Sequence, residues 1–136
     1  MSAAIHHLAL TCNDRLAQEK FYSRHFGYRR VRVFNAGRPN EFVMLRLGQS
    51  CLELFQASGA AAGASPRQPE TGFRHFCFQV PDVARKAEEL KQDGIEPGPV
   101  VDCSDQVPGL KVCFFKDPEG NTIELMEGWQ DDPALR

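Results

Sequence analysis

The sequence predicts an α+β protein made of two βαβββ modules, each contributing a curved, mostly antiparallel sheet. Three observations carry that prediction. A short alternating run followed by a helix-sized amphipathic stretch occurs twice. Each occurrence is followed by three further strand-like runs, and both sets keep the same order and spacing. At 136 residues the chain suits one domain (1–136) holding both modules. Module one is expected at 5–57, a linker at 58–72, module two at 73–127 and a tail at 128–136.

The first run, IHHLALTC at 5–12, alternates as a strand does, with Leu8 and Leu10 on one face and His7, Ala9 and Thr11 on the other. Asn13 and Asp14 offer helix caps. Ala17, Phe21, Tyr22 and Phe26 recur at helical spacing, and Gly27 is a suitable stop. YRRVRVFN, EFVMLRLG and CLELFQ then read as three strands, separated by Gly37, Pro39 and Gly48. QASGAAAGASPRQPETG at 56–72 is rich in small residues and broken by prolines, which marks it as the exposed linker.

The pattern then restarts. FRHFCFQV alternates, with Phe76, Phe78 and Val80 opposed to His75, Cys77 and Gln79. Asp82 caps a helix whose apolar residues are Val83, Ala87 and Leu90, ended by Gly94. PGPVVDC, KVCFFKD and NTIELME are three more strands, with DPEGN at 117–121 as a turn. His7 precedes Asp14 by seven residues, as His75 precedes Asp82, and each module closes on a Glu-Leu strand. The interval from His to Glu is 46 residues in the first module and 49 in the second. The repeat selects His7 over His6, which is expected to point to the other side of the strand. His25, beside Phe26 on the first helix, reads as structural or exposed.

Composition narrows the function. Hydrophobic residues make up 42% and charged residues 25%, which fits a soluble globular protein. A net charge of -2 with dispersed basic residues argues against nucleic acid as a partner. No apolar run approaches a membrane span, and MSAAIHHLAL does not read as a signal peptide, so a cytoplasmic location is expected. The five cysteines show no CxxC spacing and read as reduced thiols.

His7, Glu53, His75 and Glu124 each stand at the same relative place on four strands, opposite a greasy face. Leu8, Leu10, Leu52, Leu54, Phe76, Phe78, Ile123 and Leu125 are expected to pack under the helices. Ala9, Cys51, Cys77 and Thr122 are small neighbours that leave room. Two buried carboxylates need compensation, and a divalent cation supplies it. Two imidazoles and two carboxylates suit Zn²⁺, Ni²⁺, Co²⁺ or Mn²⁺. A structural polar cluster is the alternative. If Val43, Leu45 and Leu47 face the helices, Phe42, Met44 and Arg46 face the cavity, where Arg46 would meet a carboxylate or phosphate of a substrate; the alternative is that Arg46 is a solvated strand residue.

IHHLALTCND, FYSRHFGY, CLELFQ, GFRHFCFQV, FFKDPEGNTIELME and the repeat itself resemble the vicinal oxygen chelate superfamily over residues 5–127. That group includes glyoxalase I, methylmalonyl-CoA epimerase, extradiol dioxygenases and antibiotic-resistance proteins, and the resemblance is strongest to small bacterial glyoxalase I-like proteins. It implies metal ligation by His7, Glu53, His75 and Glu124, with nickel or zinc foremost and cobalt or manganese as alternatives. It implies a lyase or isomerase of the lactoylglutathione lyase type working through an enediolate. Glu124, or otherwise Glu53, is then the catalytic carboxylate, and the substrate is a small molecule with vicinal oxygens. An acyl-CoA epimerase and a drug-binding resistance protein without turnover are the alternatives. A homodimer is expected. The resemblance departs at Thr11 and Ala57, where small bacterial glyoxalase I enzymes place an Arg and an Asn that hold glutathione. The thiol cofactor is therefore open between glutathione, bacillithiol, another thiol and none.

Overall fold

The computed structural model describes residues 4–58, 73 and 75–135. The chain divides into two compact units, Met1–Ala64 with Pro118–Gly120 and Ser65–Asp117 with Asn121–Arg136. Nearly all of the expected linker lies outside the described residues.

In the first unit, β1 (His7–Cys12) leads into α1 (Arg15–Phe26), followed by β2 (Arg29–Phe34), β3 (Phe42–Leu47) and β4 (Ser50–Gln56). Asp14 caps α1 by accepting from the Ala17 N–H, and Gly27 ends it at φ 76°. The sheet order is β1-β4-β3-β2, with β1 parallel to β4 and the other pairs antiparallel. Phe21 and Tyr22 of α1 pack with Cys12, Val43, Leu45, Leu52 and Leu54 in the core. Gln18 is also fully buried on α1, which its polarity conceals in the sequence.

The second unit repeats the plan with β5 (Phe76–Gln79), α2 (Val83–Gln92), β6 (Val101–Asp102), β7 (Lys111–Lys116) and β8 (Thr122–Glu127). Its order is β5-β8-β7-β6, again with one parallel pair, β5 with β8. Asp82 caps α2 through the Arg85 N–H, and Val83, Ala87 and Leu90 are its buried face. They cover Cys113, Phe115, Ile123 and Leu125.

Three expectations are corrected. Leu8, Leu10, Phe76 and Phe78 are half-buried rather than core, because β1 and β5 are edge strands of their sheets. His75 lies just before β5, which begins at Phe76. The run PGPVVDC yields only two strand residues, since proline cannot donate to a ladder. Beyond β8, Trp129 is half-exposed and its indole N–H donates to Asp131 at 2.9 Å. A short 3-10 turn, Pro133–Leu135, follows.

Candidate functional site

Strand register puts each glutamate opposite the residue two beyond its histidine. In the first unit Ala9 pairs with Glu53, and in the second Cys77 pairs with Glu124. Paired residues share a face, so period two brings each histidine beside its glutamate. His7 Nε2 lies 3.4 Å from Glu53 Oε2, and His75 Nε2 lies 2.8 Å from Glu124 Oε2. Both glutamates retain little exposure, with side chains 16% and 15% accessible, which leaves each carboxylate partly stripped of water.

These spacings suit a shared cation. Two ligands each ~2.0–2.2 Å from one ion lie roughly 3.0 Å apart at right angles and roughly 3.4 Å apart at the tetrahedral angle. The imidazole Nε2 and carboxylate oxygen of each pair therefore stand close to the separation that neighbouring ligands need. Among the described residues no three His, Cys, Asp or Glu form a set of their own, and each unit presents one pair.

The same register names the neighbours. Met44 pairs with Glu53, and Phe114 pairs with Glu124. Met44 is buried, and Phe114 meets the His75 ring edge-on with centroids 5.4 Å apart. Arg46 pairs with Cys51 and so shares the Glu53 face, as alternation along β3 anticipates. Phe114 was not singled out from the sequence, although the alternation in KVCFFKD leaves it opposite the buried Cys113 and Phe115. The Cys77 thiol is pushed up to about 12, first by loss of water and then by the Glu124 charge, whose carboxylate it hydrogen-bonds. His6 does not stay clear of His7. Their Nδ1 atoms are 3.0 Å apart, because His6 precedes β1 and escapes its alternation. His25 packs on Phe21 with ring centroids 4.9 Å apart. Thr11 is exposed on β1, and the Ala57 N–H donates to the Cys12 carbonyl at 2.8 Å. Neither offers a charged or amide side chain.

In the first unit Phe34, Phe42 and Phe55 form a ladder across three strands on the Glu53 face. Phe34 stacks on Phe42 at 4.5 Å and 8°, and Phe42 on Phe55 at 4.3 Å and 20°. No helix among the described residues is long and apolar enough to cross a membrane.

Comparison with known proteins agrees with the fold of the two units. The chain is 29% identical over 126 residues to the uncharacterized protein YwkD of Bacillus subtilis, covering 91% of this chain and 96% of that one. Among solved structures, a glyoxalase family protein from Enterococcus faecalis is 33% identical with a TM-score of 0.75, covering 91% of this chain and 97% of its own. A lactoylglutathione lyase from Agrobacterium tumefaciens is 28% identical with a TM-score of 0.66, over 93% and 95% of the two chains. The family model of the Glyoxalase/Bleomycin resistance protein/Dioxygenase superfamily matches residues 4–125. With that match running over a twice-repeated His–Glu register, the protein belongs to the glyoxalase/bleomycin resistance protein/dioxygenase superfamily.

Proposed function

We propose that the protein is a divalent-metal-dependent lyase or isomerase of glyoxalase I type, acting on a small molecule with vicinal oxygens. The observation that carries this reading is the pair of equivalent His–Glu contacts, one on each sheet, at ligand-like separations. Similarity to a lactoylglutathione lyase supports the reaction class. His7, Glu53, His75 and Glu124 would together hold one ion, nickel or zinc before cobalt or manganese, since the donors are nitrogen and oxygen. When bound, such an ion supplies Lewis acidity that lowers the cost of removing a proton beside a carbonyl.

The proton itself is moved by the chain. Glu124, or otherwise Glu53, takes it from one substrate carbon and returns it to the neighbouring carbon. His75 and Cys77 orient Glu124, and the buried Met44 keeps water from Glu53. Thr11 and Ala57 deny glutathione its usual hold, so the thiol partner, where one is used, is recognised by other residues. Five free thiols accord with a cytoplasmic location, and edge strands β1 and β5 accord with assembly as a homodimer.

Glu124→Gln is expected to abolish solvent deuterium exchange into a glyoxal–thiol adduct, tested with glutathione and with bacillithiol, while metal content stays near the wild-type level. Wild-type exchange in the variant would remove Glu124 from the proton transfer. Absence of metal and of exchange in the unmodified protein would overturn the reading as a whole.

A further inference from the structure

Strand β2 carries a β-bulge that decides which face its arginines take. Arg29 pairs with Arg46 and Arg30 with Leu45, but the next pairing is Arg32 with Met44, which leaves Val31 as the extra residue. Unbroken alternation would set Val31 opposite Met44 and turn Arg32 toward the buried Val43. With the bulge, Arg29, Arg32 and Arg46 all share the face that carries Glu53, because Met44 pairs with Glu53. Two cross-strand rows result. His7, Cys51, Arg46 and Arg29 form one, and Ala9, Glu53, Met44 and Arg32 form the other. The Arg32 guanidinium lies 5.9 Å from the centre of the Phe34 ring, which holds it on this side.

The two faces of this sheet treat their arginines differently. On the helix side Arg30 donates to Glu19 of α1 at 2.7 Å. On the Glu53 side Arg29, Arg32 and Arg46 make no ion pair among the described residues. Glu53 is the only acid in the four strands, and it already faces His7 at 3.4 Å. Arginines directly opposite one another repel, and a third on the same face adds to that repulsion. An anion relieves it, and the guanidinium fork matches phosphate geometry.

We infer that Arg29, Arg32 and Arg46 hold the phosphate group of a small phosphate monoester whose vicinal oxygens lie at the His7–Glu53 pair. That this ligand is the substrate rests on the reading above. A phosphate monoester brings a charge of roughly -1.5 to -2 and three acceptor oxygens, enough to engage guanidinium groups from two strands. A single carboxylate fills one fork. In the order β1-β4-β3-β2 the arginines stand one and two strands from β4, roughly 10 Å at most. Long arginine side chains and a short carbon chain together bridge that distance.

The test uses chelator-treated protein, so that metal plays no part, titrated calorimetrically with glycerol 3-phosphate at about 0.15 M salt. Saturable binding is expected. Glycerol, lacking the phosphate, should give no saturable binding, and glycerate, with a carboxylate in its place, should bind roughly tenfold or more weakly. Arg29→Ala, Arg32→Ala and Arg46→Ala should each weaken glycerol 3-phosphate by roughly tenfold, with melting curves confirming the fold. Arg29 and Arg32 are exposed, so their variants remain informative if Arg46→Ala fails to fold. Arg30→Ala removes the same charge from the helix side of the same strand and should leave binding unchanged. No saturable binding, glycerate binding as well as the phosphate, or an equal loss in Arg30→Ala would each overturn the inference. Because no metal is present, failure here is distinct from failure of deuterium exchange in the loaded protein.

Discussion

Glu53 and Glu124 occupy equivalent positions in register, yet one faces Ala9 and the other Cys77. The thiol gives Glu124 a second donor beside His75, while Glu53 lacks a side-chain donor from its opposite residue. Residue-scale chemistry of this kind also governs alkaline stability. Tyr28 is buried, and its phenol is pushed up to about 12 by loss of water, then by Cys51. A raised pKa means that the folded state keeps the proton when the unfolded chain releases it near its ordinary value of roughly 10. The stability it contributes is therefore complete below that value and falls as pH rises toward about 12. Tyr28→Phe should flatten this decline, read as the difference in urea midpoints between neutral and alkaline pH. Gly128 faces a different constraint. It has φ 76°, and an added Cβ would fall 2.2 Å from the Gly109 carbonyl oxygen. Gly128→Ala is expected to cost about 1–3 kcal/mol in denaturant unfolding, because neither backbone can yield cheaply.

At the scale of elements, position within the sheet outweighs residue type. Leu54 on β4 and Leu10 on β1 are register partners on the helix-facing side. Leu54 is fully buried between two strands, whereas Leu10 lies on an edge and remains half-exposed. Leu54→Ala should cost about 2–5 kcal/mol, and Leu10→Ala clearly less, since less apolar surface leaves water there. Equal losses, measured by chemical denaturation, would contradict the edge assignment. The helices were readable from their caps. Asp14 and Asp82 each accept from an N–H three residues on, and both were legible as caps in the sequence. Gln18 was not legible as core, because burial of an amide depends on what surrounds the helix rather than on the residue's own polarity.

At the scale of the whole molecule, two sheets with the same order and the same His–Glu register raise the question of stoichiometry. If both pairs serve one ion, elemental analysis should find near one divalent ion per chain, and either His7→Ala or His75→Ala should remove most of it. Two ions per chain, with each variant losing only one, would mean that each pair binds separately. Metal loading and gel filtration of the same samples would link that count to the number of chains.

The sequence by itself determined the repeat, the order of elements, both helix caps and the four ionisable positions. These follow from local periodicity, which the backbone imposes at every residue. Only the tertiary structure decided that β1 and β5 lie at sheet edges, that Phe114 stands opposite Glu124, and that Phe34, Phe42 and Phe55 stack into one ladder. Each depends on which strand lies beside which and in what register, a pairing between residues distant in the chain that no local pattern encodes.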